Sequence, residues 1–183
     1  IVIKSTILPD QLEAICDSYT DMRERLVYYP EFLREAQADT DLLRQEQHIL
    51  GGFTKTVNTI IEIMKERYIY KKEYYRKFHR TTIAEASLIK YTINAYLATK
   101  ITFFNEIYNL SKKYKLDFEV VRSLASLDER VGIGHSQVPG QDGRFGFGGA
   151  CLPKDLNALL VNEDLELDLL KQVKAKNDKI RKQ

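Results

Sequence analysis

A cysteine, a lysine, an asparagine and several carboxylates at spaced positions are what this 183-residue chain offers to chemistry. Cys151 follows the run Phe145, Gly146, Phe147, Gly148, Gly149, Ala150 and precedes Leu152, Pro153, Lys154 and Asp155. Pro153 fits the first position of a helix, where a missing N–H costs nothing, and Leu156, Leu159 and Leu160 continue at helical spacing. Cys151 is therefore expected just outside a helix N-terminus. There the helix dipole and Lys154 both favour a thiolate, the form that attacks an electrophile. The competing reading is a small buried hydrophobe beside a cap. The glycines argue against it, because they let a backbone approach a ligand closely. Lys90 and Asn94 lie four apart and so share a helical face inside an apolar stretch. A buried ammonium is costly unless it meets an anion, so the pair reads either as part of a site or as a Lys that snorkels to the surface. Glu31 and Glu35, after Pro30, would share a face of a short helix or stand as solvated charges.

These side chains need elements to hold them. Residues 1–5 are a β-branched run, and Pro9 with Asp10 opens a helix carrying Leu12, Ile15 and Cys16 on one face, the pattern of a strand and its crossover helix. Residues 26–29 predict a second strand and 47–53 a third. A helix over 55–67 follows, with Val57, Ile60, Ile61 and Met64 inward. Strands alternating with helices make this first part α/β. Residues 65–80 interleave Lys and Arg with tyrosines and Phe78, a composition able to track a nucleic-acid backbone. The formal net charge is only +2, which favours an exposed helix end followed by a strand and no nucleic-acid partner.

Residues 82–114 contain neither Pro nor Gly and predict one helix of roughly 50 Å, opened by a capping box of Thr82 and Glu85. Its apolar residues cover most of the circumference, so a further domain or a second subunit must help to bury it. A short helix is expected over 117–125, then a polar, glycine-rich loop leading to Cys151. Two more helical stretches run to about Leu160 and onward from about Leu165. Cys16 and Cys151 lack metal-ligand spacing and read as reduced thiols of a cytoplasmic protein, with no metal site. No apolar span has the length of a membrane crossing. The opening Ile1, Val2, Ile3 reads as though the chain starts inside a strand, hence as a piece of something longer.

Taken in order, several motifs resemble the UDP-glucose/GDP-mannose dehydrogenase family. They are Lys4, Ser5, Thr6; Pro30, Glu31, Phe32, Leu33, Arg34, Glu35; Ala84, Glu85 with Lys90 and Asn94; Phe104, Asn105, Glu106; residues 128–132; and the run from Phe145 to Asp155. The resemblance implies the C-terminal half of an NAD-binding Rossmann-like domain at 1–81. It implies a helical central domain at 82–183 that forms a homodimer through the long helix over 82–114. The implied reaction oxidises the C6 alcohol of a nucleotide sugar to a carboxylate in two NAD-dependent steps. UDP-glucose is the first choice of substrate, with GDP-mannose and UDP-N-acetyl sugars as alternatives.

By the same resemblance, Cys151 would attack the C6 aldehyde to give a thiohemiacetal and then a thioester. Lys90 and Asn94 would stabilise the oxyanion. Thr6, Glu31 and Asp155 would position or activate water, with Glu31 the base for thioester hydrolysis. Thr6, Glu35 and Lys154 would lie towards the nicotinamide. Glu31, Phe32, Leu33, Arg34, Lys90, Asn94, Arg130, Phe145, Phe147 and Gly148 would follow the sugar nucleotide, Arg130 reaching it from a partner subunit. One part of the pattern is missing: none of the nine glycines forms the GxGxxG that holds the pyrophosphate of NAD. This stretch alone is therefore expected to be inactive, and a non-catalytic helical dimerisation module is the alternative.

Overall fold

The computed structural model describes residues 1–32, 46–68, 77–161 and 165–182. Among them run β1 (Val2–Ile3), α1 (Pro9–Ser18), β2 (Val27–Tyr28), β3 (Gln47–Gly52), α2 (Thr54–Tyr68), β4 (Lys77–Thr81), α3 (Ile83–Lys113), α4 (Phe118–Ala125), α5 (Cys151–Leu159) and α6 (Asp168–Ile180). The packing divides the chain into two units, Ile1–Thr92 and Ile93–Gln183.

The first unit is built on a sheet of strand order β1-β2-β3-β4. The β1/β2 and β3/β4 pairs are parallel and the β2/β3 pair is antiparallel, so the sheet is mixed. Successive side chains of a strand point to opposite faces. Leu26 and Tyr28 accordingly join Leu12, Cys16, Ile83 and Ala86, whereas Val27 and Tyr29 join Leu50, Val57 and Ile61. Residues 26–29 read as an unbroken apolar run because both faces of that strand are covered. Val57 and Ile61 are fully buried, with Ile60 and Met64 packed at the edge of the same cluster, as the helical spacing predicts. His48 is also fully buried, its Nδ1 2.5 Å from the Tyr29 hydroxyl. The basic stretch resolves into the end of α2 and the strand β4, while residues 69–76 lie outside the described residues.

Helix α3 opens on the predicted capping box. The Glu85 N–H donates to Thr82 Oγ1 at 3.1 Å, and the Thr82 N–H donates to the Glu85 carboxylate at 2.9 Å. The Thr81 hydroxyl, followed by the backbone and hydroxyl of Thr82, holds the Glu85 carboxyl down to about 2. In the second unit one cluster joins Ala98 of α3, Phe147, Leu156 of α5 and Val173 of α6. A second joins Phe104, Phe118 and Val138. Asp117 caps α4 by accepting the Glu119 N–H at 2.8 Å. The side of α3 that bears Tyr96, Phe103 and Leu110, seven residues apart, stays about half exposed in the single chain.

Candidate active site

Cys151 is the first residue of α5, with Ala150 as N-cap in helical geometry, so the helix starts two residues earlier than the proline suggests. Pro153 occupies the third helical position instead of the first. It is tolerated there because the first four N–H groups of a helix have no intrahelical partner. Cys151 is half-buried and unbridged.

One turn further on, Asp155 shares the helical face of Cys151 and is 1% exposed. Its Oδ2 accepts a hydrogen bond from Asn94 Nδ2 at 2.5 Å, and its Oδ1 accepts one from Lys154 Nζ at 2.6 Å. Asn94 projects from α3 and is buried. The second unit thus brings together Asn94, Asp155 and Lys154 around the helix that begins at Cys151. A buried carboxylate held by an amide and an ammonium fixes that helix against α3 and keeps an anion within a turn of the sulfur.

The loop before Cys151 is held through its backbone. Asn105 Oδ1, from α3, accepts the Gly146 N–H at 3.0 Å. Asn177, from α6, accepts the Phe147 N–H at 2.7 Å through Oδ1 and donates from Nδ2 to the Phe147 carbonyl at 3.1 Å. Arg181 donates to the Phe145 carbonyl at 3.3 Å and to Asp142 at 2.8 Å, and this guanidinium keeps the Asp142 carboxyl below the usual carboxylate range.

Gly146 adopts φ +74, and a Cβ there would overlap the Asn177 side-chain oxygen. A Cβ at Gly148 would fall on the Arg181 guanidinium. At these two positions the chain's own side chains, and not a ligand as the glycines suggest, fill the space. The Phe147 ring is buried in the core, and Phe145 packs against Tyr108 with ring centroids 5.4 Å apart.

In the first unit, Thr6 is half-buried just beyond β1. Glu31 is exposed and paired with Lys4, whose Nζ lies 5.5 Å from the Tyr29 ring centroid. Lys90 is only 6% exposed, with Nζ 5.3 Å from the centroid of the Phe32 ring, so it does not snorkel. Leu33, Arg34 and Glu35 lie outside the described residues. Arg130 is largely exposed and bonded to Asp128 at 2.6 Å, on a turn that Lys100 of α3 secures by donating to the carbonyls of Val131 (2.6 Å) and Gly132 (2.9 Å). Burial pushes the Lys100 ammonium below the ordinary lysine range. Among the described residues, no group of His, Cys, Asp and Glu could hold a metal ion, and no helix is long and apolar enough to cross a membrane.

Sequence reasoning missed Asn177, Arg181 and Lys100 and gave Asn105 no role in the site. A signal for Asn177 was available, since Val173, Asn177 and Ile180 follow helical spacing on one buried stripe. A lone amide on such a stripe needs partners, and here they are the backbone of the loop.

Residues 84–179 match the UDP-glucose/GDP-mannose dehydrogenase family, central domain. The chain is 37% identical over 148 residues to the UDP-glucose 6-dehydrogenase YwqF of Bacillus subtilis, covering 79% of this chain and 31% of that protein. It is 32% identical over 189 residues to the GDP-mannose 6-dehydrogenase of Pseudomonas savastanoi pv. phaseolicola, covering 97% and 41%. The solved structure of a UDP-glucose dehydrogenase from Pyrobaculum islandicum superposes with a TM-score of 0.76 at 28% identity, covering 97% of this chain and 40% of that one. The chain therefore spans less than half the length of these relatives.

Proposed function

The chain belongs to the UDP-glucose/GDP-mannose dehydrogenase family, and from that premise we propose that it supplies the nucleophile and part of the substrate site of an NAD-dependent nucleotide-sugar 6-dehydrogenase. The observation that carries this reading is the buried Asn94–Asp155 bond, which ties the long helix to the helix that begins at Cys151.

In the proposed chemistry the Cys151 sulfur adds to the C6 aldehyde carbon, and Lys90 and Asn94 face the oxygen that gains charge. After oxidation of the thiohemiacetal to a thioester, Glu31 acts as base for the attacking water, with Thr6 and Asp155 orienting it. Glu35 and Lys154 belong to the nicotinamide side. Phe32, Leu33, Arg34, Phe145, Phe147 and Gly148 follow the sugar nucleotide, and Arg130 reaches the site of a partner subunit. Phe147 is turned into the core with its N–H and carbonyl held by Asn177, and Arg181 fills the space beside Gly148. Phe147 and Gly148 therefore shape the loop that meets the sugar nucleotide and do not bond to it.

NAD would supply hydride acceptance in this family. The turn from β1 into α1 reads Lys4, Ser5, Thr6, Ile7, Leu8 without a glycine, so these residues do not form a pyrophosphate cradle. UDP-glucose is the preferred substrate, in a cytoplasmic homodimer joined along α3.

The test is a chimera in which this chain replaces the matching segment of the Bacillus subtilis UDP-glucose 6-dehydrogenase. The chimera should reduce NAD with UDP-glucose, and Cys151→Ala within it should abolish turnover. A folded but inactive chimera, or an active Cys151→Ala form, would overturn the reading. The exposed side of α3 at Tyr96, Phe103 and Leu110 favours a second reading, a dimerisation module without catalysis. That reading predicts dimers whose Cys151 is dispensable.

A further inference from the structure

We propose that Asn177 and Asn105 are positioning residues for Cys151, acting through the backbone of the glycine-rich loop. The proposal rests on the reading of Cys151 as the nucleophile and adds what sets its place. The loop leaves the polar segment at Phe145 and delivers Cys151 six residues later, at the start of α5. Its far end is anchored by α5 itself, through buried Leu156 and the bond from Asp155 to Asn94. Its near end has no regular structure, and a glycine at φ +74 offers little resistance to rearrangement.

The two asparagines supply that resistance. Asn105 is 3% exposed and Asn177 5%, and between them they engage the N–H of Gly146 and both the N–H and the carbonyl of Phe147. A carboxamide is suited to this task because it carries an acceptor and a donor side by side and can pair with both polar groups of one residue. A carboxylate lacks the donor, and an aliphatic side chain lacks both.

The geometry also explains why the loop is glycine at Gly146. The Asn177 oxygen occupies the place a Cβ would take, so amide and glycine fit as a lock against sliding of the loop. Neither asparagine needs to touch the sulfur. Asn177 fixes Phe147, from which three residues, Gly148, Gly149 and Ala150, lead to Cys151, and Asn105 fixes Gly146, one residue earlier.

The experiment uses the chain with Asn177→Ala and, separately, Asn105→Ala. Iodoacetamide alkylation is followed by mass spectrometry at each cysteine, alongside amide hydrogen exchange. Cys16, 1% exposed in the other unit, is the internal reference for unfolding there. The α3 amides around Ala98, in the cluster that holds Phe147, report unfolding of the unit that contains the loop. Losing one or two hydrogen bonds opens the loop about tenfold more often.

The expected result is alkylation of half-buried Cys151 about tenfold faster and faster exchange at residues 146–148, with Cys16 and the Ala98 region unchanged. A wild-type alkylation rate at Cys151 in both variants would overturn the proposal. So would acceleration that appears only together with exchange around Ala98, since that is unfolding and not a loosened loop. The measurement needs neither sugar nor NAD, so a failed dehydrogenase assay and a failed positioning role are told apart.

Discussion

Asn94→Ala tests the arrangement around Asp155 most directly. The substitution removes the donor to Oδ2 and leaves the other oxygen with Lys154. Asp155 is 1% exposed, so water cannot replace the lost bond without opening the packing. A hydrogen bond to a charged group is worth about 1.5–3 kcal/mol, and stranding a buried acceptor adds to that, giving a cost of about 2–4 kcal/mol. The Lys154 side chain is 57% exposed, so its ion pair is screened and contributes at most about 1 kcal/mol. The structure thus predicts a ranking as well as a size: Asn94→Ala should cost at least twice as much as Lys154→Met. Urea unfolding followed by circular dichroism reads both, with a midpoint shift of roughly 1 M for Asn94→Ala at ordinary denaturant slopes. A loss below about 0.5 kcal/mol for Asn94→Ala, or equal losses for the two variants, would refute the reasoning. It would mean that Asp155 is reached by solvent and that the link from α3 to the cysteine helix is incidental.

Acid should weaken the start of α3 in a defined window. The folded-state value of Glu85 is depressed to about 2 from an ordinary 4.5, so its stabilisation is full above about 4.5 and is lost as pH falls towards 2. Glu85→Gln should flatten that part of a pH–stability curve, and an unchanged curve would count against the capping box. Gly148→Ala should destabilise by about 1–3 kcal/mol because the new methyl displaces the Arg181 guanidinium, and Arg181→Ala in the same chain should recover part of the loss in urea unfolding. Lys100→Met should speed amide exchange at residues 130–134, since the carbonyls of Val131 and Gly132 lose their donor. Phe103→Glu should yield a monomer by sedimentation velocity if α3 is the dimer seam, and a monomeric parent chain would remove the seam altogether.

What could be read beforehand depended on how local its cause was. The run Leu26, Val27, Tyr28, Tyr29 announces a strand covered on both faces, because burial on two sides removes the polar alternation. The Thr82 and Glu85 capping box is written within four residues, and the structure forms it. The start of α5 was displaced by two residues, since a rule that places proline first yields to a backbone already helical at Ala150. The burial of Lys90 could be posed from its neighbours only as a choice between two outcomes. It is settled by packing against Phe32, 58 positions away in the chain. The bonds from Asn105 to Gly146 and from Asn177 to Phe147 join residues 41 and 30 apart, and no spacing rule reaches that far. Hence a cysteine at a helix start could be read from its surroundings, and a buried amide at Asn177 from its helical stripe, whereas the loop groups that the amide holds could not.

The fit of the Asn177 oxygen into the space beside Gly146 also bears on how this sequence can drift over generations. An alanine at 146 is intolerable while the amide remains, and a smaller side chain at 177 leaves a hole that the glycine cannot fill. Shrinking the side chain at 177 frees the space but not the backbone, because at φ +74 any side chain at 146 stays strained. The constraint therefore runs one way, from position 146 to position 177. Among natural variants of this loop, glycine at 146 should persist even where 177 is replaced.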